Sequence, residues 1–99
     1  SSDLDNKGKI LWADDEIELL KPHILFLKKK GFIVNAVNSG EDALSLLKSE
    51  RFDIVLLDEM MTGLDGLTTL RLIKVDHPNI PVVMITKNED EWLMDEALG

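Results

Sequence analysis

Two apolar runs of this chain end in carboxylates: Lys9-Ile-Leu-Trp-Ala-Asp14-Asp15 and Asp53-Ile-Val-Leu-Leu-Asp58. If both are buried parallel strands, three aspartates meet at one rim of one sheet. In an open α/β sheet that rim is where ligands bind. Three converging carboxylates repel one another unless a cation joins them or a proton neutralises one. A hard divalent metal is the simplest resolution, and Mg2+ is usually held by one or two carboxylates together with waters and phosphate oxygens. These residue types at this spacing therefore point to phosphoryl chemistry.

The elements that would position them alternate strand and helix. Lys9–Ala13 reads as a first strand. Ile17, Leu20, Ile24 and Leu27 follow at helical spacing up to Gly31, which stops the helix. Pro22 lies inside that stretch and predicts a kink or a lost hydrogen bond near the second turn. Phe32–Val37 reads as a second strand. Ser39-Gly-Glu-Asp42 has the form of a helix start, and Ala43, Leu44 and Leu47 give that helix its apolar face. Asp53–Leu57 is the most hydrophobic run and does not alternate, as expected of a central strand buried on both faces. Thr62-Gly-Leu-Asp-Gly66 is a turn-rich loop leading to a helix carrying Leu67, Leu70 and Ile73. Pro81–Thr86 reads as a fourth strand, and Asn88-Glu-Asp-Glu91 as the start of a last helix. This (βα)4 order predicts an α/β fold, a doubly wound parallel sheet with right-handed crossovers and helices on both faces.

Composition narrows the classes. Ninety-nine residues make one domain, and 44% apolar with 30% charged residues is ordinary for a globular chain. No run approaches the roughly 18–20 apolar residues of a membrane span. Residues 1–8 begin polar and acidic, unlike a signal peptide, and read as a disordered leader or a cloning scar before a domain over residues 9–99. The absence of cysteine fits a reducing cytoplasm. A net charge of −8 argues against direct nucleic-acid binding, which needs cations to displace phosphate counterions. The one basic cluster, Lys28-Lys29-Lys30, complements the end of a helix dipole.

Each chemical candidate has a plainer reading. Asp15 alone could cap the following helix. Asp58 ends an apolar strand where an unpaired carboxylate is costly, and the next helix starts too far on for it to be a cap. Thr86 could be an ordinary β-branched strand residue or a cap, but at the same rim its hydroxyl can donate to an anion held by Asp58. His23 and His77 show no metal spacing, and Trp12 reads as core filler.

Leu11-Trp-Ala-Asp-Asp-Glu16, Val55-Leu-Leu-Asp-Glu-Met-Met-Thr-Gly-Leu-Asp-Gly66 and Pro81-Val-Val-Met-Ile-Thr86 together resemble the receiver domain of two-component response regulators, in register from about Lys9 to Gly99. The resemblance implies a flavodoxin-like fold with Asp58 as phosphoacceptor. It implies Asp15 and Asp58 as direct Mg2+ ligands, Asp14 acting largely through water, and the backbone carbonyl of Met60 as a further ligand. Thr86 would be the switch hydroxyl. The implied partners are a sensor histidine kinase or phosphotransfer protein and an effector domain on the same chain. Trp12 and the Asp58-Glu-Met-Met-Thr run are also similar to receivers joined to an alkaline-phosphatase-like domain in type IX secretion regulators.

The chain departs from the family pattern in several places. Thr62 stands where the family usually has proline, which should loosen the loop after Asp58. Lys87 stands where a small residue is usual. A long cation there would modulate access of water or a phosphatase, or help neutralise a phosphoryl group, unless it simply points to solvent. The family's strand 5 and helix 5, with a phosphoryl-contacting lysine, find no match before Gly99. The expectation is a longer native chain, the alternative being association or dimerisation that covers the gap. Without that lysine the 99-residue piece is expected to accept phosphoryl groups poorly.

Two other function classes compete with the phospho-accepting receiver. A metal-dependent phosphohydrolase of the aspartyl-phosphate type wants a second carboxylate two residues after the nucleophile, and Met60 occupies that place. A pseudo-receiver serving only for docking or dimerisation would have little use for three intact aspartates.

Overall fold

The computed structural model describes residues 7–86. Within them the chain forms β1 (Gly8–Ala13), a 3-10 turn (Ile17–Leu20), α1 (Lys21–Lys29), β2 (Phe32–Val37), α2 (Gly40–Ser49), β3 (Ile54–Asp58), α3 (Gly66–Asp76) and β4 (Val82–Ile85). All strand pairs are parallel, in the order β2-β1-β3-β4. This is the α/β alternation expected from the sequence. The helix expected from Asn88 onward lies outside the described residues.

The period-2 geometry of the strands splits the core in two. Leu11, Ala13, Val55 and Leu57 pack on one face against Ala43 and Leu47 of α2 and Ile73 of α3. Ile10, Trp12 and Val34 pack on the other against Ile24 of α1. Full burial of a Leu or Ile side chain stabilises by about 1.5–3 kcal/mol. The face under two helices is sealed, with Leu11, Val55, Leu57 and Ile73 inaccessible to solvent. On the α1 face Ile54 and Leu56 are only partly buried.

The expected kink at Pro22 is replaced by a break. The 3-10 turn ends at Leu20, and Pro22 falls in the first turn of α1. A missing N–H is harmless there because first-turn amides have no acceptor within the helix. At the other end Gly31 adopts φ +102°, and its N–H donates to Lys28 O at 3.0 Å, closing the helix as expected. Ser39 Oγ accepts from Asp42 N–H at 3.0 Å, the cap its sequence predicts. The cap of α3 was not foreseen: Asp65 Oδ1 accepts from Thr68 N–H at 2.8 Å.

Strand ends shift by a residue. β1 begins at Gly8. β3 begins at Ile54, because Asp53 serves as a clamp instead: its N–H donates to Lys9 O at 2.8 Å and its Oδ2 accepts Lys9 N–H at 2.7 Å. Lys9 Nζ also pairs with Glu50 at 2.8 Å and lies 4.9 Å above the Phe52 ring. β4 excludes Pro81, which has no N–H to give but accepts Val55 N–H at 3.0 Å.

The two helices on the sealed face meet where Gly40 touches Thr69. A Cβ on Gly40 would collide with Thr69 Oγ1 and come within 3.3 Å of Leu64 Cβ. Thr69 is fully buried and its hydroxyl donates to Asp65 O at 2.8 Å, so it cannot swing away. Gly40→Ala is expected to lower stability by about 1–3 kcal/mol in denaturant unfolding, part of it recovered in the double variant with Thr69→Ala.

Asp65 gives a pH signature. Its carboxyl is held below the ordinary value of 3.8, chiefly by the hydrogen bonds from Thr68. A depressed folded value means stabilisation that is complete above 3.8 and lost as pH falls through the lower folded value. Asp65→Asn keeps a capping oxygen but not the charge. The variant should melt below wild type at neutral pH, and the gap should close as the solution is acidified; a gap constant with pH would refute this origin.

Candidate functional site

The parallel ladder between β1 and β3 pairs Ala13 with Leu57, so Asp14 and Asp58 stand side by side where the strands end. Both side chains are buried, at 0% and 3% exposure, whereas Asp15 is exposed. One oxygen from each of Asp14, Asp15 and Asp58 lies within 4.8 Å of the other two, and among the described residues this is the one acidic or histidine group spaced to hold a metal ion. For two unit charges at that distance, repulsion is on the order of 3 kcal/mol at an effective dielectric near 20. The arrangement therefore favours a cation.

The two buried aspartates are held by the same local device. Asp14 Oδ1 accepts from Glu16 N–H at 2.8 Å, and Asp58 Oδ1 accepts from Met60 N–H at 3.2 Å. In each case the carboxylate turns the chain by bonding the amide two residues on. Asp14 N–H also donates to Val37 O at 3.1 Å, which carries the β1–β2 ladder one residue past the strand. Met60 thus sits with its backbone at the rim and its side chain exposed.

Asp15 is not the helix cap that its position allows. The residue before the 3-10 turn is Glu16, and no side chain caps that turn. Asp15 reaches across to the loop after β3 instead. Its Oδ2 accepts from Thr62 N–H at 3.2 Å and from Thr62 Oγ1 at 3.3 Å. The expectation that Thr62 loosens this loop is corrected by these bonds, since the amide a proline would lack is one of the two ties.

Close approach shapes the rest of the loop. Gly63 has φ +80°, and a Cβ there would fall 2.8 Å from Glu41 Oε2. A Cβ on Gly66 would collide with Asp58 O and lie 2.9 Å from Glu59 Cα, so α3 starts directly against the end of β3. Gly66 N–H donates to Glu59 O at 3.1 Å. A shallow cavity opens between Asp15, Glu59, Met60, Thr62, Asp65 and Leu67.

Asp58 pairs in register with Ile85, whose carbonyl accepts Glu59 N–H at 2.9 Å. Thr86 follows immediately, exposed at the same rim. Lys87 lies outside the described residues. Trp12 is buried in the α1-side core as expected. His23 sits in α1 and His77 at the C-terminal end of α3, outside the carboxylate group. The residues that sequence reasoning missed are Asp65 and the donor role of Thr62. An aspartate before a glycine and an apolar helix was a readable signal for the first; nothing local announces the second.

Residues 10–99 match the family described as the response regulator receiver domain. The chain is 40% identical over 92 residues to the transcriptional regulatory protein CpxR homolog of Haemophilus influenzae, covering 93% of this chain and 39% of that protein. It is 33% identical over 93 residues to the DNA-binding response regulator MtrA of Mycobacterium tuberculosis, covering 94% and 40%. The chain thus spans about two fifths of the length of these curated relatives. Among solved structures, the N-terminal domain of a response regulator receiver protein from Methanoculleus marisnigri superposes with a TM-score of 0.75 at 36% identity, covering 80% of this chain and 66% of that one. The response regulator TrrA of Thermotoga maritima, in complex with Mg(2+)-BeF, gives 0.74 at 28% identity over 79% and 68%. The narrower similarity to type IX secretion regulators gains no support from these relatives. A parallel sheet with an acidic rim, matched along nearly its whole length by such proteins, has one family assignment: the chain belongs to the response regulator receiver domains of two-component signalling.

Proposed function

We propose that this chain is a phospho-accepting receiver, in which Mg2+-dependent phosphoryl transfer from a histidine kinase or phosphotransfer protein to Asp58 switches conformation and controls an effector. The observation that carries this reading is a buried Asp58 set beside Asp14 by strand register, with Asp15 completing the group. The donor set fits Mg2+: it is all oxygen, from three carboxylates, as a small hard cation prefers. Asp14, Asp15, Asp58 and the Met60 carbonyl would hold the ion. When bound, it screens the repulsion between carboxylate and phosphoryl oxygens and stabilises charge in transfer.

The residues of this chain do the rest. An Asp58 carboxylate oxygen forms a bond to phosphorus while the phosphorus–nitrogen bond of the donor phosphohistidine breaks, its electron pair staying on the imidazole. The Met60 N–H on Asp58 Oδ1 orients the nucleophile. Water later attacks phosphorus, the bond from phosphorus to the Asp58 oxygen breaks, and inorganic phosphate leaves with the carboxylate restored. Thr86, beside the register partner of Asp58, donates its hydroxyl to the new phosphoryl oxygens and so favours one of two conformations. Lys87, next along, modulates access to the same group.

The length of the curated relatives supports an effector domain beyond Gly99, and the names of CpxR and MtrA make a transcriptional output reasonable. The chain catalyses only its own phosphorylation and dephosphorylation, a signalling role rather than that of a turnover enzyme, and Met60 in place of a second acid supports this. A cytoplasmic location accords with the cysteine-free sequence. Among the described residues no helix is long and apolar enough to cross a membrane.

The full-length protein incubated with acetyl phosphate and Mg2+ should take up about one phosphoryl group per chain. Asp58→Ala or chelation of the metal should abolish the uptake. Many turnovers of phosphoester hydrolysis would indicate a phosphohydrolase instead, and an unlabelled wild type a pseudo-receiver. Thr86→Ala should still be labelled but should lose the change in effector output that labelling brings about.

A further inference from the structure

The exposed member of the three carboxylates is also the one tied across two loops. Asp15 and Thr62 are 47 residues apart, and both bonds between them end on the same oxygen, Oδ2. Oδ1 takes no part in this tie. Asp14 and Asp58 need no such tie, because burial and the amides of Glu16 and Met60 already fix them. An exposed aspartate without support would sample several rotamers, and a cation would have to select one of them.

We propose that Thr62 is a positioning residue for the cation: its N–H and hydroxyl grip Oδ2 of Asp15 and hold that carboxylate against Asp14 and Asp58. This rests on the Mg2+ reading above and deepens it. A ligand carboxylate held by outer hydrogen bonds binds metal more tightly, because its orientation is set before the ion arrives. The same tie couples the ion to the loop that follows Asp58. Thr62 stands four residues after Asp58, so a cation that draws on Asp15 also anchors the segment leading into α3. Proline at this position would remove both donors. Valine would remove the hydroxyl and keep the amide.

The test is Mg2+ affinity of the full-length protein, with Mg2+ titrated alone and followed by calorimetry. Thr62→Ser should bind as wild type does. Thr62→Val, which keeps the amide, should bind about threefold more weakly, and Thr62→Pro, which loses both donors, about tenfold more weakly, the latter at the lower edge of what loss of a ligand's hydrogen-bond partner costs. The rise in melting temperature on adding Mg2+ should shrink in the same order. A merely structural role would instead lower the melting temperature equally with Mg2+ and with chelator. Affinities of the valine and proline variants within twofold of wild type would overturn the proposal while leaving the receiver reading intact. A wild type that binds no Mg2+ would overturn both. If Thr62→Pro does not fold, the comparison of valine with serine decides.

Discussion

Register between the first and third strands is the constraint on which the rim depends. Ala13 faces Leu57, and every consequence for Asp14 and Asp58 follows from that pairing. In a parallel ladder a slip of one residue would turn each side chain to the opposite face of the sheet. It would bring Leu57 rather than Asp58 beside Asp14, and a shifted β3 would carry Val55 and Leu57 out of the sealed core. The slip is blocked at the opposite end. Asp53 exchanges two hydrogen bonds with the backbone of Lys9, and the Lys9 ammonium is held by Glu50 and Phe52. A polar clamp at the bottom of the sheet therefore sets the chemistry at the top.

Burial then gives the two neighbouring carboxylates different characters. Asp14 and Asp58 terminate strands whose preceding residues are inaccessible, so their oxygens are shielded from water on the sheet side. Two like charges held together in that setting repel more strongly than at the surface. Asp15, one residue further along, is out in solvent, where repulsion is screened and hydrogen bonds are weaker. The group is thus graded, with two buried oxygen donors and one exposed donor at its mouth. The α3 helix closes the remaining side by packing Gly66 against the backbone of Asp58 and Glu59, a contact that any larger residue would spread apart.

Much of this was legible in the residues. The apolar runs ending in aspartates, the Ser39 cap and the Gly31 stop act through local chemistry, and each appears where its chemistry predicts. What escaped was either a choice between two local solutions or a contact between distant segments. Pro22 is compatible with a kinked helix or with a helix that starts beside it, and packing of Ile17, Leu20 and Ile24 on one core selected the second. Asp53 looked like the first residue of a strand because its role as a clamp depends on Lys9, 44 residues away. Thr62 looked like a loss of rigidity because only the fold shows what its amide meets.

The case of Thr62 bears on how such rims are read in general. A proline stiffens a loop by restricting its own φ, an effect confined to one residue and present whatever the loop touches. A threonine leaves that freedom but adds two donors, and these restrict the loop only when an acceptor stands opposite. Here the acceptor is Asp15, itself one of the three carboxylates. Order in the loop after Asp58 and orientation of the acidic group are therefore one property of this chain, where a proline would make them two. Anything that pulls Asp15 inward, a cation above all, must also pull on the segment that carries the chain from Asp58 to α3.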